Sequence, residues 1–203
     1  MGVGFVLVSA ARYNGAVTLF ANKTWTYEDY RQLPDDGNRY EVLEGLLCVT
    51  PAPTSYHQTL SRRLQFLFYQ LELEGKGLVF NAPIDLLIPG AEPAQPDLVY
   101  LAPGQESLVT RRGIEGVPEV VIEILSPSTA TRDRTVKLHL YEGNGVRRYG
   151  LLDPSARTFE LFVLDGPGYR LEASLGPGDQ LALADYGVTI DMAALFAGLP
   201  DDL

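Results

Sequence analysis

The run Val120-Val121-Ile122-Glu123-Ile124-Leu125 constrains the fold more than any other part of the sequence. A strand without a polar face is typical of the interior of a sheet that is covered on both sides. The run nevertheless contains a carboxylate, Glu123, and a buried carboxylate needs a partner or takes up a proton. We therefore expect either a salt bridge from Glu123 to an arginine or a cation bound beside this strand.

The segments around this strand alternate between strand and helix patterns. Leucines at i, i+4, i+7 and i+11 predict an amphipathic helix from Ser55, where Ser55 and Gln58 form a capping box, to about Gly75. A second helix is expected from about Thr131 to Glu142. The strand-like segments are 40–50 as a hairpin, 78–80, 84–88, 98–101, 119–125, 149–152, and 158–164 with 169–174 as a second hairpin. This order predicts an α/β (α+β) fold with a mixed central sheet flanked by helices.

The chain length predicts a single domain. A chain of 203 residues can bury roughly 70% of its unfolded surface, and the sequence contains no internal repeat or low-complexity linker. Residues 1–22 are expected to form an N-terminal extension that is flexible, and residues 23–203 to form the domain. No apolar segment approaches the length of about 20 residues needed to cross a bilayer, so we predict a cytoplasmic protein that does not bind membranes.

The charge of the chain excludes a protein that coats nucleic acid by bulk attraction. The 16 basic and 26 acidic side chains give a net charge of −10. The positive charge is concentrated in residues 107–150, which carry a net charge of +2, so a local basic groove remains open. The lone cysteine, Cys48, lies in an apolar run and is expected to be a buried hydrophobic side chain rather than a nucleophile.

A second carboxylate, Asp97, is expected to lie close to Glu123. It precedes the strand Leu98–Leu101, and the residues that follow suffice for a loop and a return strand, so the two carboxylates can meet on adjacent strands. At about 4 Å they would repel each other by roughly 4 kcal/mol at an effective dielectric constant of 20. A hard divalent cation would reverse this repulsion, and ligation by oxygen alone favours Mg²⁺ or Mn²⁺.

The helix after Glu123 carries Lys137, with Asp133 one turn before it. Two interpretations are open. The pair can form an exposed ion pair worth a few tenths of a kcal/mol, or the helix can point the ammonium group of Lys137 at the cation site, where it would position water or stabilise a phosphoryl oxygen.

Several short motifs, in this order, resemble those of the Uma-type family of restriction-endonuclease-like proteins, a bacterial branch of the PD-(D/E)XK nuclease superfamily. The resemblance extends from about Trp25 to Phe196. The motifs are Arg39 to Gly45, Pro51 to His57, Gln95-Pro96-Asp97-Leu98, Val121 to Thr129, Asp133 with Lys137, Tyr141, Gly145-Val146, and Tyr149 with Asp153-Pro154.

The resemblance implies roles for these residues. Asp97 and Glu123 correspond to the metal ligands of the family, and Glu41 to an acidic position that adds to the metal shell. The superfamily lysine two residues after the acid is replaced here by Leu125, and Lys137 corresponds to the family's displaced lysine. Glu44, which also falls in the first motif, is the weaker candidate because it lies at the turn, and strand alternation would put it on the face opposite Glu41. For His57, near the start of the first long helix, a structural role is favoured over a catalytic one.

The expected function is Mg²⁺-dependent hydrolysis of phosphodiester bonds, with catalysis by Asp97, Glu123 and Lys137. DNA is the expected substrate of an endonuclease that acts as a homodimer, since both strands of a duplex must be cut. The alternative is a catalytically impaired nuclease-like fold that serves as a nucleic-acid or protein interaction module. A metal-dependent hydrolase of another phosphoester is a third interpretation.

Overall fold

The computed structural model of the chain describes residues 9–13, 16–20, 24–34, 38–50 and 52–200. Its strands are β1 (Ser9–Tyr13), β2 (Ala16–Phe20), β3 (Arg39–Leu43), β4 (Leu46–Thr50), β5 (Leu78–Asn81), β6 (Leu86–Leu87), β7 (Leu98–Leu101), β8 (Val109–Thr110), β9 (Gly113–Glu115), β10 (Val120–Ile124), β11 (Arg148–Asp153), β12 (Thr158–Asp165), β13 (Gly168–Leu175), β14 (Gln180–Leu183) and β15 (Val188–Asp191).

The helices are fewer, and most are short. They are α1 (Tyr27–Tyr30), α2 (Ser55–Leu73), a 3-10 helix (Glu106–Leu108), α3 (Ala130–Arg132), α4 (Leu138–Gly143) and α5 (Met192–Phe196). A π-helical turn, Asp133–Lys137, joins α3 directly to α4. In the described ranges, no helix is both long and apolar enough to cross a membrane.

The central sheet has the strand order β13-β12-β11-β10-β7-β5. β10, the strand that contains Glu123, pairs in parallel with β11 and antiparallel with β7, while the other pairs in this sheet are antiparallel. The predicted mixed sheet flanked by helices is therefore confirmed.

Both faces of β10 are covered, as its apolar sequence requires. Val120, Ile122 and Ile124 pack on the α2 side, where Leu60, Leu64, Phe68 and Leu71 form the inner stripe of the helix. Val121 and Leu125 face the opposite core, which contains Tyr141, Val146 and Tyr149. The strand consequently holds Glu123, which is buried, on the α4 side of the sheet.

A separate sheet, of order β1-β2-β4-β3, carries the first motif of the sequence. β3 and β4 are joined by the two-residue turn Glu44-Gly45, and both residues have positive φ, at 53° and 71°. This geometry is that of a tight hairpin turn and suits glycine at the second position. Glu41 is buried in β3, whereas Glu44 is exposed in the turn that follows this strand, and the preference for Glu41 as a site residue stays a prediction.

Some details differ from the sequence predictions. The N-cap of α2 is Thr54, whose hydroxyl accepts a bond from the backbone N–H of His57, and Ser55 is the first helical residue. The sequence also did not indicate β8 with β9 or β14 with β15, which are two to four residues long. The flexible extension predicted for residues 1–22 includes residues 1–8, 14–15 and 21–22, which lie outside the described residues, and it stays a prediction.

Candidate active site

Asp97 and Glu123 lie on neighbouring strands at the same level of the central sheet. β7 pairs with β10 so that Leu98 is opposite Ile122, and the same register puts Asp97, just before β7, opposite Glu123. The backbone N–H of Ile124 donates to Oδ2 of Asp97 at 2.9 Å. Both carboxylates are almost completely buried, and the juxtaposition expected from the sequence is present.

Lys137 points into the same place from the π-helical turn. Its Nζ atom lies 2.8 Å from Oε1 of Glu123, 2.8 Å from Oε1 of Glu41 and 3.6 Å from Oδ1 of Asp133. The side chain is 2% exposed, so the interpretation as an exposed helix pair with Asp133 is wrong. The ammonium group connects β3, β10 and the helical segment through three carboxylates.

The pKa of Lys137 is raised. Burial acts to lower it, but the carboxylates of Glu123, Glu41 and Asp133 outweigh the effect of burial. Lys137 therefore remains an ammonium ion and serves as a donor and a positive charge rather than as a base.

Both oxygens of Glu41 are engaged by neighbouring donors. Oε1 accepts bonds from Lys137 and from the backbone N–H of Gln95, and Oε2 accepts a bond from Nη2 of Arg132 at 3.1 Å. Burial acts to raise the pKa of Glu41, but Lys137 and Arg132 lower it overall. Glu41 thus holds two cations in position, and its predicted part in a metal shell stays a prediction.

Asp97 is held as a carboxylate by a second pair of side chains. Nη1 of Arg39 and Nε2 of His57 both lie against Oδ1, at 3.0 and 3.2 Å. Burial acts to raise the pKa of Asp97, but His57, Arg39 and the N–H of Ile124 hold it below its usual range. His57 comes from the first turn of α2, which brings the start of this helix to the site.

Glu123 has the opposite electrostatic environment. Burial, together with the carboxylates of Asp133, Asp97 and Glu41, raises the pKa of Glu123 to about 8 despite Lys137. The hydroxyl of Tyr141 donates to Oε1 of Glu123 at 3.2 Å. Acids outnumber permanent cations in this cluster, which adds to the effect of burial on the pKa of Glu123. The cluster contains Glu41, Asp97, Glu123 and Asp133 against Arg39, Arg132 and Lys137.

These groups line a cavity of about 730 Å³. Its walls come from β3, the first turn of α2, the loop after β10, the helical segment with Lys137, and the turn at Pro154-Ser155. A volume of this size is typical of sites for small ligands.

The donor chemistry fits a hard divalent cation of the type that the sequence predicts. Asp97 and Glu123 offer oxygen ligands from adjacent strands, and Oδ1 of Asp133 is a buried acceptor without a hydrogen-bond partner. Over the described part of the chain, no group of three or more His, Cys, Asp or Glu side chains is arranged to hold a metal. Mg²⁺ often binds through one or two carboxylates and keeps waters or phosphate oxygens as its other ligands, and two carboxylates suit that mode.

The sequence model of the Uma2 family, described as "Putative restriction endonuclease", matches residues 27–193. The chain belongs to the Uma2 family. The match covers the central sheet, the hairpin with Glu41 and the cavity. The description of the Uma2 family is that of nucleases, which hydrolyse phosphodiester bonds.

This Uma2 protein is also similar to two proteins over most of its length. The uncharacterized protein slr1290 of Synechocystis sp. is 24% identical over 175 residues, which cover 85% of this chain and 91% of the relative. A crystal structure described as "a putative nuclease belonging to DUF820" from Anabaena variabilis superposes with a TM-score of 0.71 at 17% identity, over 85% of this chain and 97% of that chain. The second similarity establishes the nuclease-like fold.

The sequence predicted Lys137 but not the two arginines that hold the acids of the Uma2 site. Arg39 had a usable signal, since it is two residues before Glu41 and strand alternation puts both on one face. Arg132 gave no such signal, because its contact with Glu41 joins residues 91 positions apart. His57 was expected to be structural, and the structure places its imidazole against Asp97 in the cavity wall.

Proposed function

We propose that this protein is a metal-dependent phosphodiester hydrolase that cuts DNA, with its reaction centre at Asp97, Glu123 and Lys137. The observation that carries the proposal is the position of Nζ of Lys137, 2.8 Å from Glu123 and 2.8 Å from Glu41 in a cavity that Asp97 also lines. An acid pair can hold a divalent cation, and a fixed ammonium group can stabilise the charge that develops on a phosphoryl oxygen. Family membership supports the reaction class.

Asp97 and Glu123 are the residues that would hold Mg²⁺ or Mn²⁺ in this proposal. When bound there, the cation supplies Lewis-acid polarisation of the phosphate and activation of water. Glu123 would hold the cation as a carboxylate, and the raised pKa of Glu123 makes that form less favourable near neutral pH.

The protein's own residues position the phosphate and neutralise its charge. Lys137 donates to a phosphoryl oxygen as negative charge grows, and Glu41 with Asp133 keeps the ammonium group in place. Water adds to phosphorus, one P–O ester bond breaks, and the leaving oxygen takes up a proton. The products are a phosphate monoester and an alcohol.

The test is cleavage of fluorescently labelled DNA with Mg²⁺ or Mn²⁺, compared with EDTA. Wild-type protein is expected to cut, and Asp97→Asn and Glu123→Gln are each expected to lower the rate at least 100-fold. Glu160→Gln is the matched control, because Glu160 lies on β12 in an ion pair with Arg134, outside the residues that line the cavity. Equal cleavage by all four proteins would identify a contaminating nuclease and refute the proposal.

A non-catalytic interaction module is the second candidate. The observation that favours it is the pairing of both Asp97 oxygens with Arg39, His57 and the N–H of Ile124, which a metal ligand must partly give up. Binding of DNA by the wild-type protein without cleavage under any metal condition would select this candidate. A homodimer and a cytoplasmic location remain predictions from the sequence, and size-exclusion chromatography with light scattering tests the first.

A further inference from the structure

The groups proposed to react lie at the inner end of the cavity rather than on an open surface. Asp97 is 4% exposed, and Glu123 and Lys137 are each 2% exposed. A scissile phosphate must therefore enter the cavity to reach them. Duplex DNA is a stiff rod with a persistence length of about 50 nm, and it does not fold locally into a space of about 730 Å³.

The wall of the cavity offers few charges to a nucleic-acid backbone. Among its described lining residues, the arginine and lysine side chains are Arg39, Arg132 and Lys137, and each of them contacts a buried carboxylate. The remaining wall is made largely of hydroxyl groups and prolines, including Ser55, Ser126, Ser128, Ser155, Pro127 and Pro154. Hydroxyl groups can donate to one or two phosphates, but they do not neutralise a row of them.

The outer surface does not compensate for this lack of charge. Six cations on the described surface are paired with carboxylates, namely Arg31, Lys76, Arg112, Arg134, Arg147 and Arg170. The whole chain carries a net charge of −10. Proteins that bind duplex DNA tightly neutralise about six to ten phosphates with lysine and arginine, and this surface is not built to do so.

Apolar wall surface suits an unpaired base better than a stacked one. The cavity presents Pro127 and Pro154 beside the polar groups. The flat faces of a base are apolar, and they are covered in a duplex but accessible in a single strand. An unpaired strand is also flexible enough to carry its phosphate to the inner end of the cavity.

We infer that the substrate is an unpaired stretch of strand, such as a single-stranded region or an overhang, engaged through one or two phosphates. This inference rests on the proposed function and specifies its substrate class. Cleavage of one unpaired strand needs only one active site. The enzyme would therefore not need to dimerise in order to cut.

Binding is the first test and is independent of turnover. Wild-type protein in EDTA is titrated with a fluorescent 20-nucleotide single strand and with the same sequence as a blunt duplex, between 50 and 200 mM salt. The single strand is expected to bind at least 10-fold more tightly, with log K falling against log salt with a slope of about −1. Equal affinity for the duplex, or a slope steeper than about −4, would overturn the inference.

A charge added to the wall supplies a matched comparison. Ser155 is exposed at the cavity and Ser174 is exposed on β13, outside the lining residues. Ser155→Arg is expected to steepen the single-strand slope by about 0.7, and Ser174→Arg to leave it unchanged. Equal slopes for the two variants would contradict entry of the strand through this cavity.

Cleavage separates this inference from the proposed function. With Mg²⁺, the protein is expected to cut a single strand and the overhang of a partial duplex at least 10-fold faster than a closed circular plasmid. Plasmid cleavage at the rate of the single strand refutes the substrate class but keeps the nuclease. If neither DNA nor bis(p-nitrophenyl) phosphate is hydrolysed, the proposed function fails, and the binding preference still decides which strand form the cavity accepts.

Discussion

Removal of the buried ammonium group tests whether the acid cluster is held together by Lys137. Lys137→Met keeps most of the length of the side chain and leaves Glu41, Glu123 and Asp133 without their shared cation. Breaking a buried ion pair by deleting one partner costs about 3–5 kcal/mol, because the remaining charge stays buried without compensation. For a chain of this size, that loss lowers the melting temperature by about 6–20 °C.

Lys76→Met is the matched control for this experiment. Nζ of Lys76 lies 2.7 Å from Oε2 of Glu74, a distance close to those around Lys137, but both side chains are more than half exposed. An exposed pair contributes about 0–1 kcal/mol, so the same substitution should change the free energy of unfolding very little. The comparison therefore isolates burial as the cause of the difference.

Urea denaturation at pH 8 without divalent cations measures both variants against the wild type. If the loss comes from uncompensated carboxylates, the addition of Glu123→Gln to Lys137→Met should recover about 1–2 kcal/mol, since one buried acid is removed. Stability losses of the same size for Lys137→Met and Lys76→Met would falsify this account of the cluster. If Glu123→Gln does not recover stability, an uncompensated Glu123 carboxylate is not a cause of the loss in Lys137→Met.

Three further predictions follow from the same contacts. The pKa of Glu123 is raised to about 8, so between about pH 4.5 and 8 this carboxyl binds a proton in the folded chain but not in the unfolded chain. The free energy of unfolding of the metal-free protein should therefore fall by about 2 kcal/mol from pH 6 to pH 8. Urea titrations should show that Glu123→Gln flattens this slope; an unchanged slope would assign it to another group. In cleavage assays, Lys137→Met should lower the rate about 100- to 1,000-fold. The addition of Leu125→Lys should restore part of the rate, since Leu125 also lines the cavity. If the rate does not recover, Lys137 does not replace the superfamily lysine at position 125. Arg148→Met removes a buried guanidinium group that contacts three side chains, and it should lower the free energy of unfolding by about 2–3 kcal/mol in thermal unfolding. Arg170→Met removes one partner of an exposed pair and should lower it by less than about 1 kcal/mol. Similar losses for the two variants would contradict this reasoning.

The parts of the fold that periodicity controls could be predicted from the sequence. The apolar run around Glu123 gave the interior strand, leucine spacing gave α2, and the Glu44-Gly45 turn gave the first hairpin. The short strands β8 and β14 could not be found in this way. They are two and four residues long, and their pairing is decided by contacts with partners rather than by local pattern.

The site was predictable as far as local sequence carries its chemistry. The sequence predicted Asp97 and Glu123 because one acid precedes a strand and the other lies within one, and both strands are expected to be buried. The two acids lie side by side because β7 pairs with β10. The arginines that neutralise the acids were missed, because Arg39 contacts Asp97 across 58 positions and Arg132 contacts Glu41 across 91. Such contacts depend on how segments far apart in the chain pack against each other, which a single sequence does not indicate.

The π-helical turn Asp133–Lys137 keeps its lysine directed at the site although the turn contains an additional residue. A π-helix closes its hydrogen bonds one residue later than an α-helix, so the turn holds one residue more than a regular helix needs. A π-turn rotates less per residue than an α-helix, so deletion of a single codon at Arg134, Thr135 or Val136, with return to a regular helix, would leave Lys137 facing nearly the same direction. One residue inserted into a helix that stays regular would instead turn the lysine by about 100°, away from its carboxylates.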